Sequence, residues 1–461
     1  MTPEQGNEDR PIAALLAPDI LLMLEESPGD IGAETEEMHP ANLADVASTL
    51  ESDKVRSLLR ALPPERAADV LEYLPEELRT DVLEAMSSTQ AAALVSEMTP
   101  DDRADVLEEL NEEHADEILS KIAVEARGET ERLLAYPPES AGGLMTTEFV
   151  SIAEGTTVEE ALRSVRNVAR AGRREALYTI YATDPAGRVR GVLSLRELLA
   201  AAEGTRIEEL AWTDVVSVNA FADREEVARV TEKYDLVAVP VVDDSGRIIG
   251  VVTVDDVIDA IMEEQTEDVQ RLGGMEALDQ PYFAASFWSI LRKRGGWLVL
   301  LFVEEIFTGY VLRHHSAMLE ASVTLMFYVP LVISSGGNSG SQSATLITRA
   351  LAVGDVRLRD TLRVFARELG QGLALGAFLG GIGFARALMW NSGYDVAWVV
   401  SLTLLAVVLT GTIVGAMLPI IFTRLRIDPA IASSPFVASF VDVAGVVIYF
   451  SVAQRIMGLG G

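Results

Sequence analysis

The stretch SSGGNSGSQSAT, residues 334–345, sits between VTLMFYVPLVI (323–333) and LITRALAV (346–353). Both flanks are as apolar as a membrane helix. The centre carries glycines, an Asn, a Gln and a run of hydroxyls. Polar groups inside a hydrocarbon-crossing helix are costly unless they face water, an ion or another helix.

Outward from that stretch, the chain from about Trp297 is hydrophobic in lengths that suit a bilayer. Five spans are expected, at about 295–312, 321–351, 364–390, 397–423 and 430–457. Arg349, Arg357, Arg359, Arg363 and Arg367 lie between the second and third, Arg424 and Arg426 between the fourth and fifth, and NSGYD (391–395) has no base. The positive-inside rule then puts the N-terminus and both Arg-rich loops in the cytosol, and NSGYD and the C-terminus outside. The N-terminal MTPEQGNEDRPIAALLAPD lacks a basic region followed by an apolar run, so no cleavable signal is expected.

Charge divides the chain in the same way. Residues 281–461 hold 13 Lys/Arg and 9 Asp/Glu, which leaves 24 of the 37 bases and 61 of the 70 acids in residues 1–280. A first part of net charge −37 repels nucleic acid and attracts cations. Four Lys against 33 Arg also suit a merely solubilising surface. With no Cys, disulfides, thiolate metal sites and a Cys nucleophile are excluded. The spans contain no His/Asp/Ser set, so an intramembrane enzyme is not expected.

The acidic part is built from repeats. Asp45-Val46-Ala47, Asp69-Val70-Leu71-Glu72, Asp81-Val82-Leu83-Glu84 and Asp105-Val106-Leu107-Glu108 recur at multiples of twelve. LPPE (62–65), LPEE (74–77) and TPDD (99–102) read as helix starts, with Pro in the first turn and acids that suit the helix dipole. Each unit is a short helix too small to bury its own apolar face, so stacked units make a superhelix. Further on, FVSIAEGTTVEEALRSV (149–165) matches VVSVNAFADREEVARVT (215–231), and DPAGRVRGVLSLRELLAA (184–201) matches DDSGRIIGVVTVDDVIDAI (243–261). The offsets of 66 and 59 place a seven-residue insertion in the first copy, around 167–176. Each copy reads strand, helix, strand, Gly turn, strand, helix, and the pair resembles tandem CBS modules, which implies ATP or another adenine nucleotide as a ligand.

In the last span, FVASFVDVAGVVIYF (436–450), Asp442 lies at mid-membrane depth. A carboxylate there is functional by default. Gly336, Gly337 and Gly340 remove side chains from the opening stretch, while Asn338, Gln342, Ser334, Ser339, Ser341 and Thr345 supply neutral oxygens. Neutral oxygens with one carboxylate suit a hard cation that keeps its water. Close packing of small residues explains the glycines equally well, but not Asn338 and Gln342 together. One Asp442 per chain supplies −1, so a twofold axis would set −2 against a divalent ion, and a homodimer is expected. Mg²⁺ is the ion such a sparse site fits best.

These pieces together resemble the MgtE family of Mg²⁺ channels and transporters over essentially the full length. The motifs are the repeats, YPPESAGGLMTTEFVS (136–151), VVTVDDVIDAIMEEQTEDV (251–269), FYVPLVISSGGNSGSQSATLITRALA (327–352), GAMLPIIFTRLRIDPAIASS (415–434) and PFVASFVDVAGVVIYF (435–450). The resemblance implies a multidomain fold. An N-terminal segment (1–40) leads an all-α short-helix superhelical N domain (41–136) and α/β tandem CBS domains (137–268). A connecting plug helix (269–294) then joins an all-α transmembrane domain with five spans (295–461). It places Asp442 at the pore carboxylate, Asp428 at the cytosolic end of the pore, and Asn338, Gln342, Gly336, Gly337 and Ser434 along the ion path. It also implies that cytosolic Mg²⁺ closes the pore through Asp101 and Asp105, through Asp223, Glu225 and Asp235, and through Asp256, Asp259, Glu264, Glu267 and Asp268.

Three features depart from the family pattern. Ser434 stands where relatives often have Asn, Glu304–Glu305 interrupts the first span, and the first CBS copy has its insertion. The alternative reading is a proton- or solute-coupled secondary transporter whose CBS pair senses nucleotides.

Overall fold

Eight helices begin at residues 40, 52, 64, 76, 88, 100, 112 and 124, each start twelve residues after the last. They are α3 (Pro40–Ala47), α4 (Ser52–Ala61), α5 (Pro64–Glu72), α6 (Glu76–Glu84), α7 (Ser88–Val95), α8 (Pro100–Glu109), α9 (Glu112–Lys121) and α10 (Val124–Leu133). Helices of 8 to 10 residues are marginal alone, so tertiary packing holds them. The repeated apolar pair supplies it: Val46, Val70 and Leu71, Val82 and Leu83, and Val106 and Leu107 are all buried in one core. The computed structural model describes residues 11–170, 179–202, 204–278, 280, 282–283 and 285–458. Two earlier helices, α1 (Pro11–Glu26) and α2 (Ile31–Glu34), bury Ala13, Ile20 and Ile31 in the same core. The segment 1–40 is therefore part of the helical domain from α1 onward, not a separate lead.

The duplicated region forms two three-stranded sheets. In the first copy β1 (Val150–Ala153), α11 (Val158–Arg170), β2 (Ile180–Thr183), β3 (Val189–Leu193) and α12 (Leu195–Ala200) follow in turn. A short helix, α13 (Ile207–Leu210), leads to the second: β4 (Val218–Asn219), α14 (Arg224–Tyr234), β5 (Ala238–Val242), β6 (Ile248–Thr253) and α15 (Val254–Leu272). In each copy the outer pairing is parallel and the hairpin antiparallel. The hairpins turn at Gly187 and Gly246, whose φ of 79° and 77° favours glycine. The extra residues of the first copy fall between α11 and β2, and 171–178 lie outside the described residues. Residues 1–263 form one compact unit and 264–461 a second.

The second unit is helical: α16 (Phe287–His314), α17 (Ser316–Ala321), α18 (Val323–Met326), α19 (Val329–Ala352), α20 (Thr361–Met389), α21 (Tyr394–Arg424) and α22 (Ser434–Met457). Four helices among the described residues are long and apolar enough to cross a membrane: Phe287–His314, Leu358–Met389, Tyr394–Arg424 and Ser434–Met457. The expected second span is not among them. Its helix, α19, has 24 residues and starts at Val329 rather than 321, with Pro330 in the first turn, where its missing N–H forfeits no helical bond. At 1.5 Å per residue it is about 36 Å long, enough for a hydrocarbon core of about 30 Å, so composition and not length sets it apart.

The stretch 269–294 is not one connecting helix. Residues 269–272 complete α15, the described residues from 273 to 286 are non-helical, and 287–294 open α16 behind the N-cap Ser286.

Candidate ion path and acidic clusters

The opening stretch forms the middle of α19, whose glycines pack against both α21 and α22. Contact is backbone to backbone: a Cβ on Gly411 of α21 would lie 2.6 Å from the Gly336 carbonyl oxygen. Toward α22, a Cβ on Gly337 would lie 3.1 Å from Asp442 Oδ1 and 3.3 Å from Ala438 Cβ. Glycine at 337 is what lets the carboxylate lie against the helix. Asp442 Oδ1 is shielded from solvent and has no hydrogen-bond partner. Such an oxygen is costly to leave bare in hydrocarbon and fits a cation or its hydration shell.

The neutral oxygens run along α19 beside it. Asn338 Nδ2 donates to Ser334 Oγ at 3.3 Å, Ser341 Oγ donates to the Ser434 carbonyl at 2.9 Å, and Thr345 Oγ1 lies 3.3 Å from Ser434 Oγ. Ser334, Asn338, Gln342 and Thr345 are all exposed. The structure thus sets Gly337 against Asp442 between α19 and α22 and Ser434 beside Ser341 and Thr345, while Asn338 and Gln342 share the exposed side of α19 and Gly336 packs away from them against Val407 and Val441. Asp428 caps the short 3-10 turn Pro429–Ile431 between α21 and α22, its Oδ1 accepting from Ala430 N at 2.8 Å. Its Oδ2 is ion-paired to Arg271 Nη1.

Two groups here lie outside the expected site residues. Glu304 and Glu305 on α16 act electrostatically on Asp442, and Glu304 Oε2 is shielded and without a hydrogen bond. Glu368 on α20 is only 5% exposed and accepts from Ser343 Oγ at 2.8 Å. Period-3.6 spacing hints at neither, because each needs a partner helix to define its surroundings.

In the first unit, α8 and α15 bring acids together. Burial first, then the Asp102 charge, pushes Asp101 up to about 7. Burial and Asp101 push Asp256 to about 8, and burial and Asp102 push Glu72 to about 8. Asp105 is raised by surrounding protein and by Asp101, but it is exposed, so water screens it more. Thr99 Oγ1 donates to Asp102 and Thr253 Oγ1 to Asp256, while Asp101 Oδ1 has no partner. Like charges crowded around one bare oxygen fit a cation. Among the described residues no three or more His, Cys, Asp or Glu side chains already converge as a metal shell, so any ion held here would keep much of its water.

The other expected residues lie on or at the ends of α14 and along α15. Asp223 caps the start of α14, its Oδ1 accepting from Glu225 N at 2.9 Å, and Asp235 is the left-handed C-cap at its other end, φ 51°. Eleven residues separate those ends by about 16 Å, too far to share an ion. Asp259 is exposed on α15. Glu264, Glu267 and Asp268 fall in the second unit, where burial, then Asp428 and Glu264, raise the Asp268 carboxyl.

A family model described as a divalent cation transporter, MgtE, matches residues 329–452. One described as the MgtE intracellular N domain matches 38–139, and CBS domain models match 141–204 and 207–263. The magnesium transporter MgtE of Thermus thermophilus is 44% identical over 331 residues, 72% of this chain and 73% of that protein. Its namesake from Enterococcus faecalis is 33% identical over 336 residues, 72% of each. A crystal structure of the soluble part of a magnesium transporter aligns with a TM-score of 0.51 at 32% identity, covering 55% of this chain and 99% of that one.

Proposed function

This chain belongs to the MgtE family of magnesium transporters, and from that premise we propose that it is a homodimeric Mg²⁺ channel closed by Mg²⁺ on its acidic cytosolic domains. The observation that carries this reading is the polar stripe of α19. Ser334, Asn338, Gln342 and Thr345 are exposed in the isolated chain, within a helix flanked by apolar spans. Lipid cannot satisfy them, so they face water, an ion or a second copy. Asp442 and Gly337 lie beside them, and a twofold axis there doubles the single carboxylate. α19 is then the fifth span, with the N-terminus inside and the C-terminus outside.

Mg²⁺ is drawn inward by the membrane potential and sheds water reluctantly, so neutral amides and hydroxyls guide its hydrated form past Asp442. In the cytosol, the crowded acids repel one another until Mg²⁺ offsets their charge and favours the closed arrangement. The CBS duplication supports ATP or another adenine nucleotide as a second ligand.

Proteoliposome uptake tests the whole. Mg²⁺ flux should rise as internal Mg²⁺ falls, and Asp442→Ala should reduce it to near background with the protein still folded. Normal flux through Asp442→Ala ends the pore assignment. Flux indifferent to internal Mg²⁺ ends the sensor assignment and favours a coupled carrier.

A further inference from the structure

The end of α15 meets the turn between α21 and α22 through one cation. Arg271, in the last turn of α15, is ion-paired both to Glu267, one turn earlier, and to Asp428, 157 residues later in the chain. Asp428 is fully engaged by this arrangement, with Oδ1 on the Ala430 amide and Oδ2 on Arg271. Asp268 and Glu264 on α15 and Arg349 on α19 complete the charged surroundings. A chain passing over the start of α22 closes the corner: Gly274 adopts φ 75°, and a Cβ there would lie 3.1 Å from Pro435 Cγ.

We infer that Arg271 is a tethered competitor for the divalent cation at the Glu267–Asp428 pair, and so sets the Mg²⁺ concentration at which this corner closes. The inference rests on the sensor reading above and adds a residue to it that carries the opposite charge. A guanidinium spreads its charge over a planar fork of donors and can bridge two carboxylates, but it neutralises only one of them. A divalent ion neutralises both and holds them more closely. The two cannot occupy the same carboxylate oxygens, so Mg²⁺ binds here only after Arg271 swings out. Arg271 is 38% exposed at its side chain, which leaves it a path to water. Without the ion it keeps α15 loosely joined to the pore end; with the ion it is displaced. A merely structural ion pair would have no bearing on the Mg²⁺ midpoint.

Full-length protein in nanodiscs tests this by chymotrypsin cleavage at Tyr282–Phe283, which are 66% and 76% exposed in the connection that follows α15. In the wild type, cleavage should slow as Mg²⁺ rises. In Arg271→Gln the Mg²⁺ midpoint should fall about fivefold or more, within the usual range of site coupling. Arg271→Lys, which retains a cation, should lie between the two. An unchanged or raised midpoint in Arg271→Gln, with a wild type that responds to Mg²⁺, overturns the Arg271 inference and leaves the sensor reading standing. A wild type whose cleavage and flux both ignore Mg²⁺ overturns both.

Discussion

Ser343 on α19 donates to Glu368 on α20 at 2.8 Å, and that carboxylate is buried among apolar helices. The bond ties the back of α19 to its neighbour and so fixes the rotation that presents Asn338 and Gln342 on the opposite, exposed side. Truncating one member of a buried polar pair leaves the other bare, which costs about 1–3 kcal/mol. Glu368→Ala should therefore lower the detergent-solubilised melting temperature by several degrees, and Glu368→Gln, which retains an acceptor, by clearly less. Equal losses in both variants would mean that Ser343 is not the partner that matters.

What was legible in the sequence follows from what is local. The twelve-residue phase of α3 to α10 is written in a repeated Asp-Val-Leu-Glu, and the CBS pair in a duplication, so both read directly. Asp442 and Gly337 were legible as residue types that suit one site, although their contact was not. Glu72 and Asp102 were missed because their surroundings come from tertiary packing against other acids. Arg271 sits in a run read for its acids, and its partner is 157 residues away. The break before Val329 was hidden by an unbroken apolar run in which only Pro330 marks the start.

At position 337 the available space decides function. A methyl group there meets Asp442 Oδ1 at 3.1 Å and Ala438 Cβ at 3.3 Å, both tighter than ordinary contact. Gly337→Ala should displace the carboxylate by a few tenths of an ångström and cut Mg²⁺ uptake about tenfold, the cost of roughly 1.4 kcal/mol at the barrier. Its melting temperature should change little. Full flux would place Asp442 off the ion path.

The acids of the first unit carry a pH signature. Asp101 is pushed up to about 7, and Glu72 and Asp256 to about 8. Raised carboxyls bind protons more tightly in the folded state than in the unfolded one, so stability is full below about pH 4 and is lost as pH rises to about 8. The first thermal transition of the full chain should therefore fall between pH 5 and pH 8 in chelator. Mg²⁺ should restore it more at pH 8 than at pH 5, because protons and the ion compete for the same oxygens. Asp101→Asn should flatten the pH dependence. A transition that rises across this window would contradict the cluster.

Because the chain has no Cys, a single introduced thiol reports its own surroundings alone. Asn338→Cys stands on the exposed side of α19, two turns above Thr345. If that side lines a water-filled path, a charged methanethiosulfonate reagent should modify it in membranes, and Mg²⁺ should slow the reaction. Phe378→Cys, on a 67% exposed position of α20, is the contrast, since an apolar exposed residue on a membrane helix faces lipid and gives no thiolate for the reagent. If two copies meet at α19, oxidation of Asn338→Cys should also yield a disulfide-linked dimer, which requires Cα atoms within about 7 Å. Labelling without cross-linking would keep the ion path and widen the spacing of the two helices. Protection of both thiols would return the polar stripe to a buried protein contact.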